Sequence, residues 1–153
     1  MDNQTDHVKS IISELRRTVS EPILKKLNLN KCERVADKLG SFSTNCEDCQ
    51  QQLLELKNQL ILIKEDIATI DDTKIKLFQQ SLTHITSHLE KKHKLIQEGH
   101  YLAIYMSLGM SLGLMFGLTI FDNIALGIPI GMCLGLAIGT GLDSDAKKKG
   151  KTI

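Results

Sequence analysis

Apolar positions along this chain follow two rules that change over near residue 100. Up to about Ile96 they recur every third or fourth residue with charged and amide residues between them, the period of an amphipathic helix. No stretch alternates long enough to suggest a strand. From Tyr101 to Leu142 the period disappears, because almost every position is apolar or glycine and the only charge is Asp122. The expected fold class is all-α: a helical or coiled-coil module followed by a two-helix transmembrane hairpin with GxxxG packing.

In residues 1–45 the pattern predicts short helices. Val8, Ile11, Ile12 and Leu15 line one side of a helix over about Thr5 to Val19. A second begins near Ser20 with Pro22 in its first turn, where a missing N–H costs little. Asn30 with Glu33, and Thr44 with Glu47, have capping-box spacing. The first box opens a helix ending at Gly40, a residue suited to the left-handed position beyond a helix. The second opens a long element.

Residues 46–100 carry that element. Leu53, Leu56, Leu60, Ile63, Ile67 and Ile70 form one heptad stripe, and Ile75, Phe78, Leu82, Ile85, Leu89 and Ile96 form another. The register slips by one residue at Asp71-Asp72-Thr73. A single long helix can absorb the slip as a stutter. Alternatively the slip is the corner of a helical hairpin, with Asp71 or Asp72 capping the second arm. One helix of ~50 residues would need a partner along its whole length, which inclines the reading to the hairpin. Its second arm would then run into the apolar segment through Gln97-Glu98-Gly99-His100. Lys57, Glu65, Lys76 and Glu90 read as a solvated surface.

The apolar segment, 101–142, holds two uncharged runs, 101–121 and 124–142, separated by Asp122-Asn123. At 1.5 Å per residue each spans roughly 28–31 Å, about the thickness of a hydrocarbon core. So small a domain could not wrap two such helices on all sides, and two residues between them suffice only to turn the chain back. Pro129 falls inside the second run, which is expected to begin near Ile124 and tolerate a kink. Gly109, Gly113 and Gly117 recur every fourth residue, as do Gly127, Gly131, Gly135 and Gly139. Such stripes let another backbone approach closely. In a hairpin turning at residue 122, facing positions sum to 244, which sets Gly109 against Gly135, Gly113 against Gly131 and Gly117 against Gly127. The rival arrangement is an oligomer whose glycines meet between subunits.

Charge sets the expected orientation. Lys91, Lys92 and Lys94 precede the first run, Lys147, Lys148, Lys149 and Lys151 follow the second, and the turn holds no base. The positive-inside rule puts both termini in the cytoplasm, with Tyr101 and Tyr105 as inner-leaflet anchors and 143–153 as a basic cytoplasmic tail. The opening Met1-Asp-Asn-Gln-Thr-Asp is polar and acidic, unlike a cleavable leader. Across the 153 residues, 19 basic groups against 18 acidic ones exclude electrostatics as a main route to nucleic acid.

Candidate chemistry is sparse. There is no phosphate-binding glycine loop, no nucleophile elbow and no evident acid pair, so no enzyme is expected. Cys32, Cys46 and Cys49 could join His93 in a Cys3His zinc site. If the chain turns at 71–72, His93 comes alongside Cys49 and His100 near Cys46. The plainer expectation is no cofactor, with three reduced thiols, two of them filling a helix seam. Cys133 reads as a membrane packing residue. His84 and His88 are spaced to share a metal but lack a zincin's glutamate, and read as polar flanking residues.

The stretch Glu98 to Ile153 contains Glu-Gly-His-Tyr-Leu-Ala-Ile-Tyr-Met and the ending Gly-Leu-Asp-Ser-Asp-Ala-Lys-Lys-Lys-Gly-Lys. It resembles the small bacterial glycine-zipper membrane proteins. The resemblance covers about a third of the chain and implies residence in a bacterial cell membrane rather than a defined activity. The expected role is a non-enzymatic tether that holds the helical module at the inner face of the membrane. There the module would bind an unknown protein, or itself, through its coiled-coil stripe. One alternative is a glycine-zipper oligomer acting as a pore, for which Ser107, Ser111, Thr119 and Thr140 are the thin candidates for polar lining. Another is a membrane-tethered metal or redox sensor.

Overall fold

The computed structural model describes residues 2–66, 70–120 and 123–153. Ile67 on the first stripe, Phe121 at the end of the first run and Asp122 in the turn lie outside the described residues. Among the described residues seven helices follow one another: α1 (Asp2–Thr18), α2 (Glu21–Leu27), α3 (Leu29–Phe42), α4 (Glu47–Glu65), α5 (Asp72–His93), α6 (His100–Thr119) and α7 (Ile124–Lys148). Among the described residues the only β feature is an isolated bridge between Ile96 and Thr152. The chain divides into two compact units, 1–93 and 94–152.

The first unit is organised by burial of its apolar stripes. Val8, Ile12 and Leu15 of α1, Val35, Ala36 and Leu39 of α3, and Leu56 and Leu60 of α4 are completely enclosed. Ile75, Phe78, Leu82, Ile85 and Leu89 of α5 close the same core. α1 packs on α3 and α4, and α3 packs on α4 and α5. Each fully enclosed Leu or Ile contributes about 1.5–3 kcal/mol of burial. Leu53, Leu56, Leu60 and Ile63 of the first stripe and Ile75, Phe78, Leu82, Ile85 and Leu89 of the second are thus buried inside the module, while Ile70, at the corner, is half-buried.

α4 and α5 form a hairpin, not one continuous helix. Cross-contacts pair Asp66 with Lys74, Gln59 with Ser81 at 3.0 Å, and Asp48 with Lys92 at 3.2 Å, a constant antiparallel register. α5 stops at His93, where Lys94 turns into the left-handed region at φ 53°. The second arm therefore does not run on into the apolar segment, and Ile96 lies beyond it.

Local signals near the amino end resolve differently from the capping boxes. The residue preceding α3 is Asn28, at φ 49°, which closes α2 and opens α3 in one step. Asparagine tolerates that left-handed conformation better than most residues. Asn30 and Glu33 are instead engaged by Arg16, whose Nη2 donates to Asn30 Oδ1 at 2.8 Å and Glu33 Oε2 at 2.7 Å. Gly40 does not end its helix. It lies within α3, where Thr5 Oγ1 occupies the space a Cβ would need. Cys46, not Thr44, is the N-cap of α4, and its side chain makes no capping bond.

Candidate functional site

The second unit is built on the two glycine stripes. Along α6 and α7, Gly109, Gly113, Gly117, Gly127, Gly131, Gly135 and Gly139 are the buried positions, apart from Ala146 near the end of α7. A Cβ built on Gly109 would lie 3.0 Å from the Gly135 Cα, one on Gly113 3.0 Å from the Gly131 Cα, and one on Gly117 3.2 Å from the Gly127 Cα. Beyond these pairs, Gly135 faces the Tyr105 carbonyl group and Gly139 the Leu102 Cα. The helices therefore touch backbone to backbone within one chain. Gly141, off the stripe, has open space around it.

With glycine inside, the large side chains point outward. Leu108, Met115, Phe116, Leu118, Leu126, Leu134 and Ile138 are half or more exposed. A soluble protein would bury such residues; a lipid-facing one presents them. Cys133 also lies on this outer surface rather than in the packing seam. Ser107, Ser111, Thr119 and Thr140 each return their hydroxyl to a carbonyl of their own helix, at 2.8–2.9 Å. Their polarity is satisfied locally, as a hydrocarbon setting requires.

Both ends of the hairpin are fastened. At the turn, the Asn123 N–H donates to the Gly117 carbonyl at 2.9 Å, and Asn123 Oδ1 accepts from the Ala125 N–H at 3.0 Å. α7 then begins at Ile124 and contains Pro129, which deprives the Ala125 carbonyl of its usual helical donor. At the other end α7 continues past Leu142 to Lys148, so the first part of the basic tail is helical. Asp143 on that extension accepts from the backbone N–H groups of Tyr101 and Leu102 at 3.1 and 3.0 Å. It thereby caps α6, whose own N-cap residue is Gly99, and links the helices just below the zipper. Asp143→Ala should cost about 1–2 kcal/mol of hairpin stability, by analogy with other lost caps. The check is a lower denaturing-detergent midpoint. Tyr101 and Tyr105 are half-buried near this end, and Lys147 approaches Glu98 at 3.5 Å.

In the first unit the structure brings together Cys46, Cys49, His88 and His93, with one potential ligand atom from each lying within 4.8 Å of all the others. This cluster could hold a metal ion. Cys32 stands apart from it, with its thiol on the Leu27 carbonyl at 3.6 Å and pushed up to about 12 by burial. His88 takes the fourth place that the sequence spacing assigned to Cys32. Cys49 is also pushed up to about 12, chiefly by burial and by its bond with Cys46. His93 is lowered, first by burial and then by the nearby His88 and Lys92. His100 is not part of the cluster.

Two apolar helices locked through glycine, with aliphatic side chains turned outward, describe a membrane-inserted helical hairpin. Residues 97–145 match the family model of glycine zipper membrane proteins. Over those residues the chain is similar to glycine zipper membrane proteins, and it has two helices long and apolar enough to span a bilayer. That family is not a known enzyme family. No curated protein and no solved structure matches the chain.

Proposed function

We propose that this protein is a non-enzymatic membrane tether, whose hairpin holds the helical module of residues 1–93 at the cytoplasmic face of a bacterial cell membrane. The observation that carries this reading is the pairing of the two glycine stripes within one chain. A self-satisfied hairpin anchors what is joined to it without needing further subunits. The pore reading would require those glycines at subunit contacts, or polar groups free to line a channel. Neither agrees with stripes used internally and hydroxyls bonded to their own helices.

Tyr101, Tyr105, Lys147, Lys148, Lys149 and Lys151 lie at or beyond the open end of the hairpin, and Lys91, Lys92 and Lys94 precede it in the chain. The positive-inside rule then assigns that end, with both termini, to the cytoplasm. Confinement beside the bilayer would raise the module's effective concentration for a protein partner without adding contacts. That partner would meet the module's outer surface, since most of both stripes is buried. There Leu62 and Leu77 stand about 60% exposed.

Protease protection tests the reading. In intact spheroplasts an amino-terminal epitope should survive external protease and be removed only after lysis, while the protein stays in the membrane pellet through an alkaline wash. Recovery in the wash, or loss of the epitope from outside, would refute the tether. A dye-filled liposome that leaks when purified protein is incorporated would favour the pore instead.

A further inference from the structure

We infer that Cys46, Cys49, His88 and His93 form a tetrahedral zinc site that clasps the open ends of the α4–α5 hairpin. The inference stands apart from the tether reading, because every ligand belongs to the first unit.

The geometry is the first argument. With Zn–S near 2.3 Å and Zn–N near 2.0–2.1 Å, a tetrahedral ion separates a thiolate from an imidazole nitrogen by about 3.6 Å. Cys46 Sγ lies 3.6 Å from His88 Nε2, Cys49 Sγ lies 3.5 Å from the same atom, and Cys49 Sγ lies 3.2 Å from His93 Nε2. Both histidines turn the same nitrogen, Nε2, toward the thiols. An ion at the centre needs only small outward adjustments of the side chains.

The supporting structure points the same way. Cys46 precedes α4 in extended conformation with no capping bond of its own, and Cys49 lies in the first helical turn, three residues on. Both side chains thus sit at the first turn of α4, so one short segment of chain delivers two sulfur donors to the same place. They are at most 8% exposed, so two thiolates would balance a divalent ion without leaving net charge in a poorly solvated place. Phe42, the last residue of α3, stacks on the His93 ring at 4.0 Å and holds its plane.

Donor chemistry selects the metal. Two sulfurs and two imidazoles suit zinc, whereas magnesium and calcium demand oxygen. Four protein ligands leave no open position, so the site is structural rather than catalytic. Binding proceeds as Zn2+ + 2 Cys–SH + 2 His → Zn(Cys–S)2(His)2 + 2 H+, with both protons going to solvent. The ion would join the start of α4 to the end of α5, at the residue after which the chain leaves the module.

The test uses the full chain purified in mild detergent without chelator. Metal analysis should find about one zinc per chain. Cobalt added to the metal-free protein should give the intense visible bands of a tetrahedral site and near-ultraviolet thiolate charge transfer. His88→Gln should abolish the stable cobalt spectrum while helix content by circular dichroism is kept, and Cys32→Ser should leave it unchanged. The spectrum of the unsubstituted chain is decisive even should His88→Gln fail to fold. Absence of thiolate charge transfer with excess cobalt would overturn the inference. So would a site lost with Cys32→Ser but kept with His88→Gln, which assigns the metal to a different set. Membrane fractionation is unaffected by either result.

Discussion

Gly131→Leu is expected to force the membrane hairpin apart. A Cβ at this position would lie 2.8 Å from the Gly113 Cα and 2.9 Å from the Gly113 nitrogen, and would run into the Gly109 carbonyl oxygen. These are backbone atoms of the opposite helix, so no rotamer change can relieve the clash. Overfilling a packed interior typically costs 1–3 kcal/mol. Here the separated helices would also forfeit Cα–H···O contacts along the stripe, worth ~0.5–1 kcal/mol each. The chain has two tyrosines and no tryptophan, and both tyrosines lie in α6 opposite Gly135 and Gly139. Tyrosine emission during a titration from mild detergent into dodecyl sulfate therefore follows hairpin opening directly. The variant should open at markedly lower dodecyl sulfate, while Gly141→Leu, with nothing within 4 Å of the added carbon, should match the parent. Equal curves for Gly131→Leu and parent would contradict the intramolecular zipper.

The second large effect belongs to the helical module. Leu60→Ala should destabilise it by about 2–5 kcal/mol, since this side chain is wholly enclosed and its removal leaves a cavity. Leu62, two residues along the same helix, is 60% exposed, so Leu62→Ala should change stability by well under 1 kcal/mol. Thermal unfolding followed at 222 nm separates the two, because circular dichroism of the full chain reports loss of module helix while the hairpin persists in detergent. Similar melting of both variants would mean that α4 does not present this face to the core.

What the sequence makes legible here is what depends on periodicity. The change from an amphipathic period to unbroken apolarity marks the two units within a few residues. Four-residue glycine spacing reveals a face that only backbone can fill. The heptad slip at Asp71-Asp72-Thr73 marks the corner between α4 and α5. Features decided by competition between distant residues are not legible. Asn30 and Glu33 have the spacing of a capping box, but Arg16, on another helix, takes both side chains. Gly40 looks like a helix terminator and is instead a notch for Thr5. Asp143 caps a helix that begins more than forty residues earlier, which no local motif announces.

The Cys/His cluster is intermediate. The hairpin corner alone brings His93 to Cys49. His88 was hidden because its spacing to His84 suggests a pair on one helix face, when its partners lie across the hairpin. The signal that could have found it is the register itself, which sets Cys49 opposite position 91, between His88 and His93. Cys32 shares a sequence neighbourhood with the other thiols, yet α3 directs it at the Leu27 carbonyl.

The glycine-rich seam between α6 and α7 also has a thermal consequence. Where glycine meets glycine the contact carries no side chains, so closing it freezes few rotamers. In lipid it releases no ordered water either, and the heat-capacity change that bends the stability of water-soluble cores is largely missing. The hairpin should therefore keep nearly constant stability from cold to warm conditions, while the module of residues 1–93 follows the usual dome-shaped curve.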